Sequence, residues 1–206
     1  MALSFVDEHV GWIGNNYGEI LRTDDGGTTW SPQTSGTAYG ITAMQCLDTQ
    51  EGWATATNRV ILHTTDGGNN WSTKILDTLN YGDGVTAIYS SVFFYGRSRG
   101  WIGTVVLSNI FMNLLAPVVR TLDKGKTWAV RGSPAEMMIN SIKFVGENTG
   151  WAATWGGILR TTNGGDSWTY DSRLAGEIII DLWFADSSTG WALSFTGNIY
   201  RYQSSY

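Results

Sequence analysis

Three arginines and a small group of carboxylates are the residues of this sequence best suited to chemistry. Arg59, Arg131 and Arg173 could together grip a carboxylate, because a guanidinium binds carboxylates through two parallel hydrogen bonds. Acidic residues and a tyrosine could supply the nucleophile and the acid of glycoside cleavage. The candidates for these roles are Tyr81, Asp83, Glu136, Asp171 and Glu177. The sequence alone does not pair them, so an enzyme is the less favoured interpretation.

Composition excludes several other kinds of site. His9 and His63 are the only histidines and Cys46 is the only cysteine, so a His/Cys metal site and an internal disulfide are not expected. The formal charge is −5 and no basic stripe is present, which argues against nucleic-acid binding. No phosphate loop or nucleophile elbow occurs. We therefore expect no cofactor, no metal and no catalytic residue.

The elements that position these residues are set by an internal repeat. A Gly-Trp pair recurs at steps of roughly 40 to 50 residues, a period typical of propeller blades. Six residues before each glycine, the sequence has Phe in four copies and Cys46 in one. The five pairs are Gly11-Trp12, Gly52-Trp53, Gly100-Trp101, Gly150-Trp151 and Gly190-Trp191.

A second motif follows four of these pairs. It has the form Thr-x-Asp-x-Gly-x-x-Trp, with Asn163 replacing the aspartate in the fourth copy. An aspartate in a tight turn accepts hydrogen bonds from the amides that follow it, and glycine supplies the positive φ. We expect the motif tryptophan to cover the gap between blades. Asp25, Asp66 and Asp123 are thus interpreted as structural residues, and His63 as a variant of the arginine that precedes the motif elsewhere.

Each repeat divides into four short strands rich in aromatic and branched residues and bounded by Gly, Asn and Asp. The predicted fold is therefore an all-β propeller of about five four-stranded blades, with the last blade incomplete. We expect a single domain, 1–206, with blades at about 1–36, 37–78, 79–133, 134–173 and 174–206.

The Thr-x-Asp-x-Gly-x-x-Trp motif resembles the Asp-box of sialidases, sortilin-type receptors and xyloglucan hydrolases. Together with Gly-Trp, the repeat is most similar to that of the photosystem II stability/assembly factor family. The resemblance implies a non-enzymatic assembly factor with a membrane-protein client, and it favours a location outside the cytoplasm. The family's propellers are longer and seven-bladed, and the last unit here ends in Tyr202-Gln203-Ser204-Ser205-Tyr206 where the motif should be.

Closure of the last blade stays open at this point. The ring could close imperfectly, or the sequence could be part of a larger propeller. Another chain could also supply the missing strand through a homo-oligomer, because an unpaired edge strand invites pairing.

The uncharged stretch from Gly100 to Val119 is long enough to suggest a membrane span, but its Asn, Pro and Gly residues and the repeat register argue against one. The N-terminus lacks the pattern of a signal peptide.

Two insertions interrupt the repeat around the third blade. The segment between Trp71 and Phe94 is about seven residues longer than its counterparts, and the one between Gly100 and Thr121 about ten residues longer, so both are placed on one face of the propeller, where binding loops collect. The predicted partner-binding residues are Tyr81, Asp83, Asn109, Phe111, Met112, Leu114, Trp155, Arg59, Arg131 and Arg173.

This apolar, aromatic surface suits a protein or peptide partner. Two alternatives remain: the inserted hairpin packs on its own blade or over the channel, or the propeller binds or cleaves a glycan. A membrane-surface role is less favoured because the loop lacks basic residues.

Overall fold

The computed structural model describes residues 1–76, 85–108, 116–135 and 138–203. Within these ranges the chain forms antiparallel strands joined by turns, with one short 3-10 helix at Ser172–Leu174. The chain divides into two compact units, Met1–Leu79 and Asn80–Tyr206. No helix in the described ranges has the length and apolar character needed to cross a bilayer.

The first unit contains two four-stranded sheets in which each strand pairs with the next one along the chain. Sheet 1 consists of β1 (Ala2–Phe5), β2 (Gly11–Gly14), β3 (Ile20–Thr23) and β4 (Ser31–Gln33). Sheet 2 consists of β5 (Ile41–Cys46), β6 (Gly52–Ala56), β7 (Val60–Thr64) and β8 (Ser72–Ile75).

The second unit contains three sheets with the same strand order. Sheet 3 consists of β9 (Val85–Tyr95), β10 (Arg99–Ser108), β11 (Val118–Thr121) and β12 (Ala129–Arg131). Sheet 4 consists of β13 (Ile139–Phe144), β14 (Gly150–Thr154), β15 (Gly157–Thr161) and β16 (Thr169–Tyr170). Sheet 5 has three strands in the described ranges, namely β17 (Ile179–Phe184), β18 (Thr189–Ser194) and β19 (Ile199–Gln203).

The Gly-Trp glycine is explained by its cross-strand partner. In every sheet it pairs with the residue at the Phe position of the preceding strand, as in Phe94↔Gly100 and Phe144↔Gly150. A Cβ on Gly100 would lie 2.5 Å from a Phe94 ring carbon, and one on Gly150 would lie 2.6 Å from the Phe144 ring. The aromatic ring therefore occupies the space of the missing side chain, which is why the two residue types recur together.

Tryptophans and phenylalanines stack the sheets within the second unit. Trp101 of sheet 3 stacks on Phe144 of sheet 4 with ring centroids 3.6 Å apart. Trp151 of sheet 4 stacks on Phe184 of sheet 5 at 4.2 Å. The Asp-box tryptophan Trp168 instead contacts Phe144 of its own sheet. The two rings are arranged edge to face, with their centroids 5.9 Å apart. The residue that covers the neighbouring sheet here is thus the Gly-Trp tryptophan, and the prediction that the Asp-box tryptophan covers it is wrong for these sheets.

The five sheets follow the predicted order of strands, and sheet 5 has one strand fewer than the others in the described ranges. That all five sheets form one domain stays a prediction.

Candidate functional site

The Asp-box aspartates are used to close their own turns. Asp25 Oδ1 accepts hydrogen bonds from the Thr29 amide (2.8 Å) and the Thr23 hydroxyl (2.8 Å), and its Oδ2 accepts one from the Thr29 hydroxyl (2.7 Å). Donors on the charged form favour it, so the Thr29 amide and hydroxyl lower the pKa of Asp25 to about 2. The Thr127 hydroxyl and amide likewise lower the pKa of Asp123 to about 2. These carboxylates are ionised structural acceptors and poor candidates for acids or bases near neutral pH.

The Asn163 variant of the Asp-box forms the same turn without a charge. Its Oδ1 accepts hydrogen bonds from the Ser167 amide (3.0 Å) and the Thr161 hydroxyl (2.9 Å), while its Nδ2 donates to the Ser167 hydroxyl (2.9 Å). Hydrogen-bond geometry is therefore what the turn requires of this position, and a negative charge is not.

The arginine before the Asp-box reaches across to the box of the next sheet in two places. In the first unit, Arg22 donates from Nη1 to the Gly67 carbonyl at 2.6 Å. In the second unit, Arg120 donates from Nη1 to the Gly164 carbonyl (2.8 Å) and from Nη2 to Asp166 (2.7 Å). These buried or half-buried contacts tie consecutive sheets together, which gives the arginines a structural role.

His63 and Cys46 occupy repeat positions and have structural surroundings. His63 stacks on Trp53 with centroids 3.8 Å apart, and its Nε2 lies 3.3 Å from Glu51 Oε1. Burial lowers the pKa of His63, and Glu51 opposes that shift. Burial raises the pKa of the Cys46 thiol to about 12, which makes it unreactive as a nucleophile. Across the described residues, no group of three or more His, Cys, Asp and Glu is placed to hold a metal ion.

The strand segments that flank the two insertions around the third blade pair with each other. Residues on either side of them extend β9 and β10, and the extensions pair from Thr104↔Tyr89 to Ser108↔Val85, beyond a register shift at Gly103/Thr104. Ala87, Tyr89 and Val106 are buried, with Val106 in a core with Ala116 and Ile139. Leu107 and Thr86 are exposed, so one side of the ribbon packs inward while the other faces solvent.

Trp155 lies at the same end of the second unit as this ribbon. It belongs to the turn after Thr154, and Thr154 pairs with Ile139. The neighbouring residue, Met138, forms a bridge to Val105 on the β10 extension. Trp155 is 49% exposed and Leu107 is 47% exposed. The structure therefore brings an exposed tryptophan and an exposed apolar ribbon side to one end of sheets 3 and 4.

The described contacts of the predicted arginine group go to different partners, because Arg131 and Arg173 bind different aspartates. Arg131 donates from Nε to Asp166 at 3.1 Å, so it joins Arg120 at the fourth Asp-box. Arg173 forms an ion pair with Asp171 and lies over the Tyr202 ring, 5.4 Å from its centroid. Arg59 lies in the β6–β7 turn of the first unit with a positive φ of 61°. These contacts leave Arg131 and Arg173 poorly suited to grip one ligand carboxylate.

Several predicted site residues lie outside the described residues. They are Tyr81, Asp83, Asn109, Phe111, Met112, Leu114 and the candidate acid Glu136. Their part in binding stays a prediction.

A feature that the sequence analysis did not single out is a cavity of about 160 Å³ beside sheet 5. It is lined mainly by aromatic and apolar side chains, among them Trp151, Phe184, Trp191, Tyr200 and Tyr202. Tyr202 pairs with Gly190, as Thr161 pairs with Gly150, so tyrosine stands where the Asp-box threonine would be. The replacement of the Asp-box threonine by Tyr202 is the feature of the sequence that distinguishes sheet 5, beside which the cavity lies.

Comparison with known proteins supports both the repeat and the fold. Residues 1–91 match the family described as photosynthesis system II assembly factor YCF48. No curated protein sequence matches the chain. A solved structure of YCF48 bound to D1 peptide is 20% identical over 100% of this chain and 93% of that chain, with a TM-score of 0.49.

Two further structures have higher TM-scores at low identity. The WD40 beta propeller domain of Doa1 is 15% identical, with a TM-score of 0.69, over 98% of this chain and 64% of that chain. An ancestral GH74 enzyme is 10% identical, with a TM-score of 0.70, over 97% of this chain but only 30% of that one. The chain thus spans less than two thirds of either of these proteins, and the likeness concerns the fold. The resemblance inferred from the repeats is confirmed: over residues 1–91 the chain matches the photosystem II assembly factor YCF48 family, and its fold class is the β-propeller.

Proposed function

We propose that this protein is a non-enzymatic scaffold that binds a polypeptide segment at the surface formed by the β9–β10 extension and Trp155. The observation that carries the proposal is the co-location of Trp155 with the solvent-facing side of the extension, through Thr154↔Ile139 and the Val105↔Met138 bridge. We call this surface, with Thr86, Val105, Leu107 and Trp155, the ribbon surface.

The chemistry of the ribbon surface fits a peptide. Trp, with Tyr and Arg, is enriched among the side chains that dominate protein–protein binding energy. Leu107 adds exposed apolar area beside it, and an extended two-stranded ribbon offers backbone groups to which a client strand could pair. The predicted residues Asn109, Phe111, Met112 and Leu114 follow Ser108 directly in the sequence and would enlarge this surface.

The family match supports a client that belongs to a membrane protein, since YCF48 is described as an assembly factor for photosystem II. We propose a non-catalytic role because the carboxylates of Asp25 and Asp123 and the guanidinium groups of Arg131 and Arg173 already have structural partners. A glycan ligand remains the second candidate, because an exposed tryptophan also suits the apolar face of a sugar.

The test is titration with D1 peptide, the ligand in the solved YCF48 complex. The expected result is saturable binding that Trp155→Ala weakens by about thirtyfold, the loss of about 2 kcal/mol typical of a central interface tryptophan. The matched control is Trp183→Ala, which removes another exposed tryptophan of the second unit. Equal binding by wild type and Trp155→Ala would disprove this site, and binding on a glycan array without peptide binding would favour the sugar candidate.

A further inference from the structure

Sheets 1 and 2 border a polar groove of about 480 Å³ at their Asp-box end. Its walls come from β3 and the turn after it, from β4, and from the Asp-box that follows β7, and they include Arg22, Asp24, Gln33, Asp66 and Asn69. All of these residues belong to the first unit. The volume lies within the range of about 300–1,000 Å³ that is usual for ligand clefts. The groove shares no residue with the ribbon surface.

The corresponding place between sheets 3 and 4 is occupied by two arginines. Arg120 Nη2 and Arg131 Nε both donate to Asp166, at 2.7 Å and 3.1 Å. Arg120 also donates from Nη1 to the Gly164 carbonyl at 2.8 Å. In the repeat, Arg131 is the third residue after the box tryptophan, and Asp166 is the fifth residue after the box threonine. This place in the fold therefore binds guanidinium groups where the chain supplies them.

Between sheets 1 and 2, a glutamine stands where the second arginine would be. Gln33 is the third residue after the tryptophan of its Asp-box, as Arg131 is in sheet 3. Its amide oxygen accepts hydrogen bonds from Nε1 of Trp12 (3.1 Å) and of Trp71 (3.3 Å), and its Nε2 donates to the Gly67 carbonyl (3.0 Å). These bonds keep the Gln33 side chain against the two indoles. The lining of the groove therefore contains one guanidinium, where sheets 3 and 4 have two.

The guanidinium that remains, that of Arg22, has its partners in the walls of the groove. Its Nε and Nη2 donate to Asp24 Oδ1 at 3.0 Å and 2.7 Å. Its Nη1 donates to the carbonyls of Gly67 at 2.6 Å and Thr49 at 3.3 Å. The positive charge of Arg22 is thus compensated by Asp24, which disfavours an anion as the ligand of this groove.

The Asp-box side of the groove offers hydrogen-bond acceptors. Asp66 Oδ2 accepts one hydrogen bond, from Asn70 Nδ2 at 2.7 Å, and a carboxylate oxygen can accept two. The Asn70 side chain and amide lower the pKa of Asp66, so this carboxylate is charged at neutral pH. Asn69, at the position of Asp166, donates from Nδ2 to the Asp66 carbonyl at 2.8 Å, which leaves its amide oxygen as an acceptor. With two carboxylates against one guanidinium, the groove suits a cation that donates several hydrogen bonds.

We propose that the groove between sheets 1 and 2 binds an arginine side chain of a partner polypeptide. The guanidinium takes the place that Arg131 fills between sheets 3 and 4, and it donates to the Asp66 carboxylate and the Asn69 amide oxygen. Its planar fork of N–H donors matches two adjacent acceptors better than the compact ammonium group of lysine does. The exposed ring of Pro32 in the groove wall provides an apolar surface for the methylene groups of the arginine.

The experiment uses the blocked peptide acetyl-Gly-Arg-Gly-amide, titrated into the isotope-labelled intact protein. Binding is followed by NMR of the backbone amides of Gly67, Gly68 and Asn69. We expect saturable shifts with a dissociation constant on the order of 1 mM. The matched probe contains citrulline, which has nearly the shape of arginine but no charge, and it should bind about tenfold more weakly. Equal affinity of the two peptides, or no shift at about 10 mM arginine peptide, overturns the proposal.

Protein variants locate the site. Asp66→Asn removes the charge but can keep the turn, as Asn163 does in the fourth Asp-box, and should weaken binding of the arginine peptide about fivefold. Asp123→Asn is the matched control, because it makes the same change in an Asp-box outside the groove, and it should leave the affinity unchanged. An Asp66→Asn variant that is folded by circular dichroism and binds like wild type would disprove this site.

A change in the opposite direction keeps the test valid if Asp66→Asn fails to fold. Asn69→Asp alters an exposed side chain and introduces the acid that Asp166 supplies in the fourth Asp-box. It should strengthen binding of the arginine peptide about fivefold, and unchanged or weaker binding would contradict the proposal. Trp155→Ala should bind the peptide normally, so failure of this site is distinguishable from failure of the ribbon surface.

Discussion

At the scale of single residues, the Gly-Trp glycine and the Phe of the preceding strand act as one unit. The ring of Phe94 covers the backbone of Gly100, and Phe5 covers Gly11 in the same way, with a Cβ on that glycine placed 2.6 Å from the ring. Sheet 2 differs, because Cys46 replaces the Phe and a Cβ on Gly52 would meet the smaller Sγ at 3.1 Å. The glycine requirement should therefore depend on its cross-strand partner.

This comparison leads to a matched pair of variants. We expect Gly100→Ala to lower the free energy of unfolding by about 1–3 kcal/mol, the usual cost of an added carbon in a filled space. Gly52→Ala should cost clearly less, because its Cβ would meet Cys46 Sγ at 3.1 Å, whereas the Cβ in Gly100→Ala would meet the Phe94 ring at 2.5 Å. Urea unfolding followed by tryptophan fluorescence measures both. A Gly52→Ala variant as unstable as Gly100→Ala would show that the partner ring is not the cause.

Single residues also show how much of the structure the sequence predicts. The repeat predicts which residues form turns and strands, because a turn aspartate, a positive-φ glycine and a cross-strand aromatic are local requirements. It does not predict that Arg131 bonds to Asp166, because that contact depends on how two sheets stack. Nor does the spacing show whether the Gly-Trp tryptophan or the Asp-box tryptophan covers the neighbouring sheet, since the two side chains are identical.

At the scale of elements, the insertions illustrate the same limit. They are visible in the sequence as departures from the repeat length, and the order of strands predicts that both lie on one face. Their flanks continue β9 and β10 as a paired ribbon in which burial alternates, with Ala87 and Tyr89 buried and Thr86 exposed. The side of that ribbon that faces solvent is set by the core around Val106, which a single sequence does not reveal.

Sheets 3 and 4 are tied together by Arg120, which yields a second pair of variants. Arg120→Met should lower the free energy of unfolding by about 2 kcal/mol, the range for hydrogen bonds to a charged group. Arg160→Met is the control, because it changes the same repeat position where the side chain is exposed; its stability should stay within about 0.5 kcal/mol of wild type. Denaturant unfolding distinguishes them.

Loss of the Arg120 guanidinium should also be visible at Asp166. The Arg120 side chain is the main cause of the lowered pKa of Asp166, with Arg131 contributing less. In Arg120→Met we expect that pKa to rise toward its ordinary value, as followed by NMR of the side-chain carboxyl carbon. An unchanged pKa would mean that Arg131 alone maintains the ion pair.

At the scale of the whole molecule, turn carboxylates in both units make stability depend on acid. The pKa values of Asp25 and Asp123 are lowered to about 2, and that of Asp66 is also lowered. A group whose pKa is lower in the folded state stabilises the fold at a pH above its unfolded pKa, near 3.9 for aspartate. That contribution is lost as the pH falls from about 4 to about 2, since the folded protein must then take up protons that the unfolded chain already holds.

The Asn163 turn shows how to remove this dependence while keeping the fold. In an Asp25→Asn/Asp123→Asn double variant, the amide can form the same turn contacts that Asn163 forms with Ser167. We expect the variant to be folded at pH 7 and to lose less unfolding free energy than wild type between pH 4 and pH 2. Urea unfolding at several pH values across that window measures the slope. A variant with an unchanged slope would show that acid acts elsewhere in the molecule, for example through Asp166 and Asp171, whose pKa values are lowered by their arginine partners.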